Sequence, residues 1–171
     1  LAPNIIQKEI SMVTQKMVSE LYSYDPNTGH MTWKVSRGNA AVGYRAGTRN
    51  KQKGYRHLRV ESKFYLEHRI IWLLIHGHLP TDCIDHINGI KDNRLCNLRE
   101  APQQQNTYNR CISVNNTSGF KGVNSRNGRY HARIQFNGKR KILGTFTTKE
   151  EAHLAYCEAS IKHHKEFSRT N

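Results

Sequence analysis

The stretch CIDHINGIKDNRLCNL, Cys83 to Leu98, sets an Asp-His pair at the end of a short apolar run, then a turn, then a series of amides and charges. CIDHI reads as a strand, Asn88-Gly89 as the turn that reverses it, and the residues from about Pro102 to Arg110 as a helix. That order carries Asp85 and His86 on the hairpin and brings a helix residue, best Asn106 of QQQNTYNR, back across it. Strict alternation sends Asp85 and His86 to opposite faces, so a shared role requires the strand to twist or break at the turn.

The residue types suit one kind of chemistry. Hydrolysis of a phosphodiester needs a water made nucleophilic, a cation to neutralise charge building on the phosphate, and stabilisation of the leaving oxygen. A neutral imidazole is a suitable base near neutral pH, and hard oxygen ligands such as an Asp carboxylate and an Asn carbonyl suit Mg²⁺ or Mn²⁺. Plainer readings stand beside this: Asn88 and Asn97 as ordinary turn residues, Asp85 as a cap, His86 as a structural histidine.

Composition narrows the partner. The chain has 171 residues, 36% of them hydrophobic, enough for one modest core or two small ones. Its formal charge is +14, and 27 Lys and Arg are spread along its whole length, which predicts a long electropositive surface and a polyanionic partner. Cys83, Cys96, Cys111 and Cys157 form no CxxC pair, so structural zinc spacing is missing. With no secretory segment or membrane span in view, free thiols point to a reducing intracellular setting, the cytoplasm of a bacterial host if the chain is phage-encoded. IIWLLI is too short to cross a membrane and reads as core. Leu1 in place of an initiator Met implies trimming or an unusual start.

Ile6, Ile10, Val13, Met17 and Leu21 recur at helical steps, giving an amphipathic helix over residues 1–22. From Tyr24 to His68 the texture is mixed: DPNTG signals a turn, HMTWKV and GYRHLRV read as strands, and KFYLEH alternates before the helical RIIWLLIH. SVNNTSG, residues 113–119, has the composition of a flexible connection and separates a domain at 23–112 from one at 120–171. In the latter, Asn127-Gly128 and Asn137-Gly138 divide three strand-like runs into an antiparallel meander. Thr148 with Glu151 forms a capping box, and Ala152, Ala155, Tyr156 and Ala159 give a small-residue stripe able to lie on a sheet. The fold class is therefore α+β.

DHINGIKDNRLCNLREAPQQQN resembles the HNH endonucleases, specifically the phage and intron-associated group built on a ββα-metal motif. YDPNTGHMTWK and LEHRIIWLLIHG also look like modules that precede the motif in these homing enzymes. The resemblance implies Asp85 and Asn106 as ligands of Mg²⁺ or Mn²⁺, His86 as general base, and Asn97 as the brace of the loop between strands. His68 and Arg69 match a His-Arg pair before a helix, for which phosphate contact is the expectation. A histidine packing at a helix start is the competing reading of His68, while His76, His78, His163 and His164 read as surface or helix-end residues.

The segment from Ser118 to Phe167 is similar to the AP2 DNA-binding domain, a three-stranded sheet backed by one helix, through FKGV, LGTF and TKEEAHLAY. The likeness implies Lys121, Asn124, Arg126, Arg133, Gln135 and Arg140 as positions facing double-stranded DNA. The tryptophans of the plant domains are absent, and Asn124, Arg133 and Gln135 replace the usual residues, so sequence preference does not transfer. A basic, merely solvated sheet is the plainer alternative. Together these resemblances lead to the expectation of a metal-dependent DNA endonuclease, nicking as a monomer and leaving 5′-phosphate and 3′-hydroxyl ends. The competing classes are a non-catalytic DNA-binding regulator with an inactive HNH domain, and an enzyme acting on RNA.

Overall fold

A computed structural model of the protein describes residues 12–52, 54–88 and 91–170. It forms two compact units, one running to Leu79 and taking in Asn93–Leu95, the other made of Pro80–Asp92 and Cys96–Asn171. Among the described residues no helix is long and apolar enough to cross a membrane.

The first unit begins with α1, Gln15–Leu21, whose N-terminus is capped by the Thr14 hydroxyl accepting from Met17 N. Val18 is its buried residue; Ile6 and Ile10 of the expected longer helix lie outside the described residues. β1 (Tyr22–Asp25) and β2 (His30–Trp33) form a hairpin. Its DPNTG turn has two purposes. Asp25 accepts from Asn27 N and from the Thr28 hydroxyl, and Gly29, at φ +71°, lies where a Cβ would be 2.5 Å from the backbone N of Arg94. The Tyr24 hydroxyl meets the same segment, donating to Asn93 O and accepting from Leu95 N.

β3 (Thr48–Arg49), β4 (Arg56–Val60) and β5 (Lys63–Leu66) make an antiparallel sheet, and α2 (Glu67–His76) follows directly. Leu58, Val60, Ile70, Ile71 and Leu73 are buried with Met31 and Ala46. Within this apolar set Glu67 is only 1% exposed. Arg45 holds its carboxylate through both terminal nitrogens, Asn93 Nδ2 donates to it at 2.8 Å, and Met31 N at 3.3 Å. A buried charge so supplied is tolerable; without Arg45 it would not be.

The second unit contains β6 (Cys83–His86) paired antiparallel with β7 (Leu98–Ala101), then α3 (Gln103–Tyr108). β8 (Val123–Arg126), β9 (Arg129–Phe136) and β10 (Lys139–Phe146) form the expected meander in the order β10-β9-β8. Both turns follow from their Asn-Gly pairs, with φ of 53° and 69° at Asn127-Gly128 and 49° and 73° at Asn137-Gly138. α4 (Lys149–His164) starts at the reciprocal Thr148–Glu151 cap and lays Ala152 and Tyr156 against the sheet. It can approach so closely because Gly122 has no side chain: a Cβ there would stand 2.0 Å from the Tyr156 ring.

The compact division thus falls at Leu79/Pro80, while 113–119 lies inside the second unit. That segment is internally bonded: buried Ser118 donates to Val123 O at 2.9 Å, and Asn116 Oδ1 accepts from Gly119 N at 2.8 Å. Ala101 of β7, Tyr108 of α3 and Phe167 beyond α4 also share one apolar cluster. His164, read from sequence as a helix-end residue, belongs to the same interior. It is 5% exposed, stacks on Tyr108 at 3.9 Å, and its Nε2 is 2.8 Å from Gln135 O. Burial, together with the neighbouring Lys121 and His163 charges, lowers its pKa, against a smaller opposing effect of the Gln135 carbonyl.

Candidate functional site

The β6–β7 register places Asp85 opposite Arg99 and His86 opposite Leu98. Cross-strand neighbours on one face interact directly. Asp85 Oδ2 accepts from Arg99 Nε at 2.9 Å and Nη2 at 2.8 Å. Arg99 is itself fixed: Nη1 donates to Glu166 O, and the guanidinium lies 3.7 Å over the Phe167 ring. Asp85 is 4% and His86 6% exposed, so these successive residues, expected to point to opposite faces, are both enclosed. Three consecutive buried positions, Ile84 to His86, mean that β6 is covered on both sides.

Asn97 ties the ends of the connecting loop. Its Nδ2 donates to Asp92 O at 2.7 Å, its Oδ1 accepts from Asn88 N at 2.9 Å, and its carbonyl accepts from Ile87 N at 2.9 Å. These bonds are close to the Asp-His pair in sequence and hold the backbone directly after it. Gly89 of the expected Asn88-Gly89 turn lies outside the described residues.

From α3 the residue that reaches Asp85 is Asn109, at the helix C-cap. Its Nδ2 stands 3.1 Å from each carboxylate oxygen and 2.8 Å from His86 O. Asn106, one turn earlier and half-buried, makes no side-chain hydrogen bond with the described residues, leaving its amide oxygen available. Sequence reading missed Arg99 and Asn109. Asn109 was accessible to it as the second Asn of NTYN, three residues beyond Asn106 and on nearly the same helix face.

A divalent ion would find hard-oxygen donors here. Arg99 occupies Asp85 Oδ2, whereas Oδ1 carries only the 3.1 Å contact from Asn109 and retains coordinating capacity. Among the described residues no group of three His, Cys, Asp or Glu side chains is placed to hold a metal.

His68 and Arg69 open α2 in the first unit. His68 is 6% exposed and meets the Tyr55 ring edge-on at 5.5 Å, an arrangement that suits packing better than phosphate contact.

The other expected positions lie on and beside the β8–β10 sheet. Arg126, Gln135 and Arg140 are exposed. Asn124, with its amide oxygen toward Arg133, accepts from that guanidinium at 2.6 and 3.1 Å. Lys121 is turned away from the sheet face: its Nζ donates to Tyr108 O at 2.7 Å. Burial, and then the Arg169 charge, pushes the Lys121 amine down to about 8. Lys121, Arg133, Arg140 and Arg110 line a cleft of about 490 Å³ in which no described residue contributes a carboxylate.

Residues 65–108 match the HNH endonuclease family model. The chain is also 36% identical over 92 residues to an uncharacterized HNH endonuclease of Acanthamoeba polyphaga mimivirus, covering 52% of this chain and 48% of that protein. It therefore spans about half the length of this relative. The matched family segment contains β6, β7, α3 and all four of Asp85, His86, Asn97 and Asn106. These likenesses support a nuclease.

Replacing Arg99 by Met should destabilise the protein by about 3 kcal/mol, because it strands a buried carboxylate. The Asp85→Leu/Arg99→Met double variant should recover part of that loss. Urea unfolding followed by circular dichroism reads both; an Arg99→Met midpoint equal to wild type would show that Asp85 needs no internal cation.

Proposed function

We propose that the protein is a metal-dependent DNA endonuclease of the HNH homing type, with its chemistry at Asp85 and His86. The observation carrying this reading is an enclosed Asp-His pair at the end of β6, lying inside the segment that matches the HNH family. Asp85 and Asn106 hold one Mg²⁺ or Mn²⁺. Such an ion, when bound, neutralises charge on the scissile phosphate and stabilises the departing 3′ oxygen. His86 takes a proton from the attacking water, and its backbone is positioned by Asn109 at its carbonyl and by Asn97 one residue on. The products carry 5′-phosphate and 3′-hydroxyl ends. One such centre per chain cuts one strand per binding event, so the monomer nicks.

The β8–β10 sheet acts as the AP2-like module that binds double-stranded DNA. Arg126, Arg133 and Arg140 offer guanidinium groups, and Asn124 and Gln135 offer amides, the groups able to pair with guanine and adenine edges. Lys121 acts from the adjoining cleft and not from the sheet face. A second reading is favoured by one observation: Asp85 is already held by the Arg99 guanidinium and the Asn109 amide. In it the carboxylate is structural and the protein is a non-catalytic DNA-binding regulator.

Incubation with supercoiled plasmid separates the two. The enzyme converts it to open circles with Mg²⁺ or Mn²⁺ and not with EDTA, and His86→Ala lowers the rate by at least about a hundredfold with DNA affinity nearly unchanged. A plasmid left intact by wild type and bound tightly supports the regulator, and a His86→Ala variant of normal rate removes His86 as the base.

Deleting the chain from residue 113 would break the Ala101–Tyr108–Phe167 cluster, so the module is tested by point changes. Arg126→Ala with Arg140→Ala should reduce the slope of log affinity against log salt by about 2 if both meet phosphates. An unchanged slope would take these arginines off the phosphates.

A further inference from the structure

The first unit presents a basic and aromatic face that the proposed chemistry does not use. In β4 the alternation buries Leu58 and Val60 and turns His57 and Arg59 to the other side of the sheet. The register sets Phe64 of β5 directly across from Arg59 and Thr48 of β3 across from His57. Phe64 is 66% exposed, and the Arg59 guanidinium lies 5.9 Å from its ring centroid. Trp33 and the arginines of the following loop, Arg37 and Arg45, close this face into a cleft of about 490 Å³.

Two features define what the cleft would take. None of its described lining residues is a carboxylate, and while the Arg45 charge is answered by Glu67, neither Arg37 nor Arg59 is ion-paired among the described residues. It therefore selects an anion. An exposed phenylalanine opposite an arginine serves no core, since its ring points away from buried Leu58 and Val60. A flat apolar ring framed by guanidinium groups matches a strand that alternates flat bases with phosphates. In a duplex the base faces are already stacked on one another, so the ring cannot reach them.

We infer that this sheet face is a binding site for unpaired, single-stranded DNA, with one base stacked on Phe64 and the adjoining phosphates held by Arg37 and Arg59. A nuclease carrying it engages sites where a strand is open, and the site works whether or not Asp85 and His86 cut. An acidic peptide shares the charge complementarity but leaves Phe64 without a stacking partner.

The test uses the full chain in EDTA and reads fluorescence anisotropy of a labelled oligothymidine and of a duplex of equal length. Phe64→Ala should weaken oligothymidine binding about tenfold, Phe64→Trp should keep it near wild type, and neither should alter duplex affinity. Phe64 is exposed, so its truncation leaves the fold intact, and the unchanged duplex binding verifies that. Three results overturn the inference: no measurable oligothymidine binding, equal affinity of Phe64→Ala and wild type, or parallel losses on single strand and duplex. Because no cleavage is read and metal is chelated, an inactive nuclease leaves this result untouched, and failure here leaves plasmid nicking unaffected.

Discussion

An ionised carboxylate enclosed in protein needs both a countercharge and hydrogen-bond donors, and Asp85 obtains them from the two elements that flank it in the second unit. Arg99 comes from the paired strand and Asn109 from the end of the following helix. The same Asn109 amide bonds the carbonyl of His86, so the strand, the hairpin partner and α3 are held at one point. Arg99 extends that point to the C-terminal segment through Glu166 and Phe167. This arrangement ties the ββα element to the segment that follows α4, whose Phe167 packs with Ala101 and Tyr108.

A similar logic governs the first unit, where Glu67 is enclosed with Arg45 and Asn93. Glu67 and Asp85 are thus enclosed in the protein, while the formal charge of the chain is +14. The consequence is electrostatic. Clefts in each unit are lined by arginine and carry no described carboxylate, so phosphate can approach without meeting a like charge. Lys121, in one of them, is lowered to about 8 mainly by its burial and next by the Arg169 charge.

Features set by neighbouring residues were readable in the sequence. The Asn127-Gly128 and Asn137-Gly138 turns need positive φ, the Thr148–Glu151 cap spans three positions, and β9 alternates Ala132 and Ile134 inward against Arg133 and Gln135. Features set by distant partners were not. Glu67 looks like an ordinary acidic residue in a first helical turn, and only the fold brings Arg45 and Asn93 to it. The Asp85–Arg99 pair depends on a register across a long loop that pattern alone does not fix. His164 sits at the end of α4, a position that suggests solvent, until the stacking with Tyr108 encloses it.

Asp85, held by Arg99 and Asn109, is proposed to offer a hard-oxygen site for a divalent ion. Titration of Mn²⁺ into the metal-free full chain bound to duplex DNA, with free Mn²⁺ followed by electron paramagnetic resonance, tests it most directly. The account predicts one saturable site per chain, weakened at least about tenfold in Asp85→Asn while duplex binding persists. Identical Mn²⁺ curves for wild type and Asp85→Asn would contradict it and leave the carboxylate with a purely structural role.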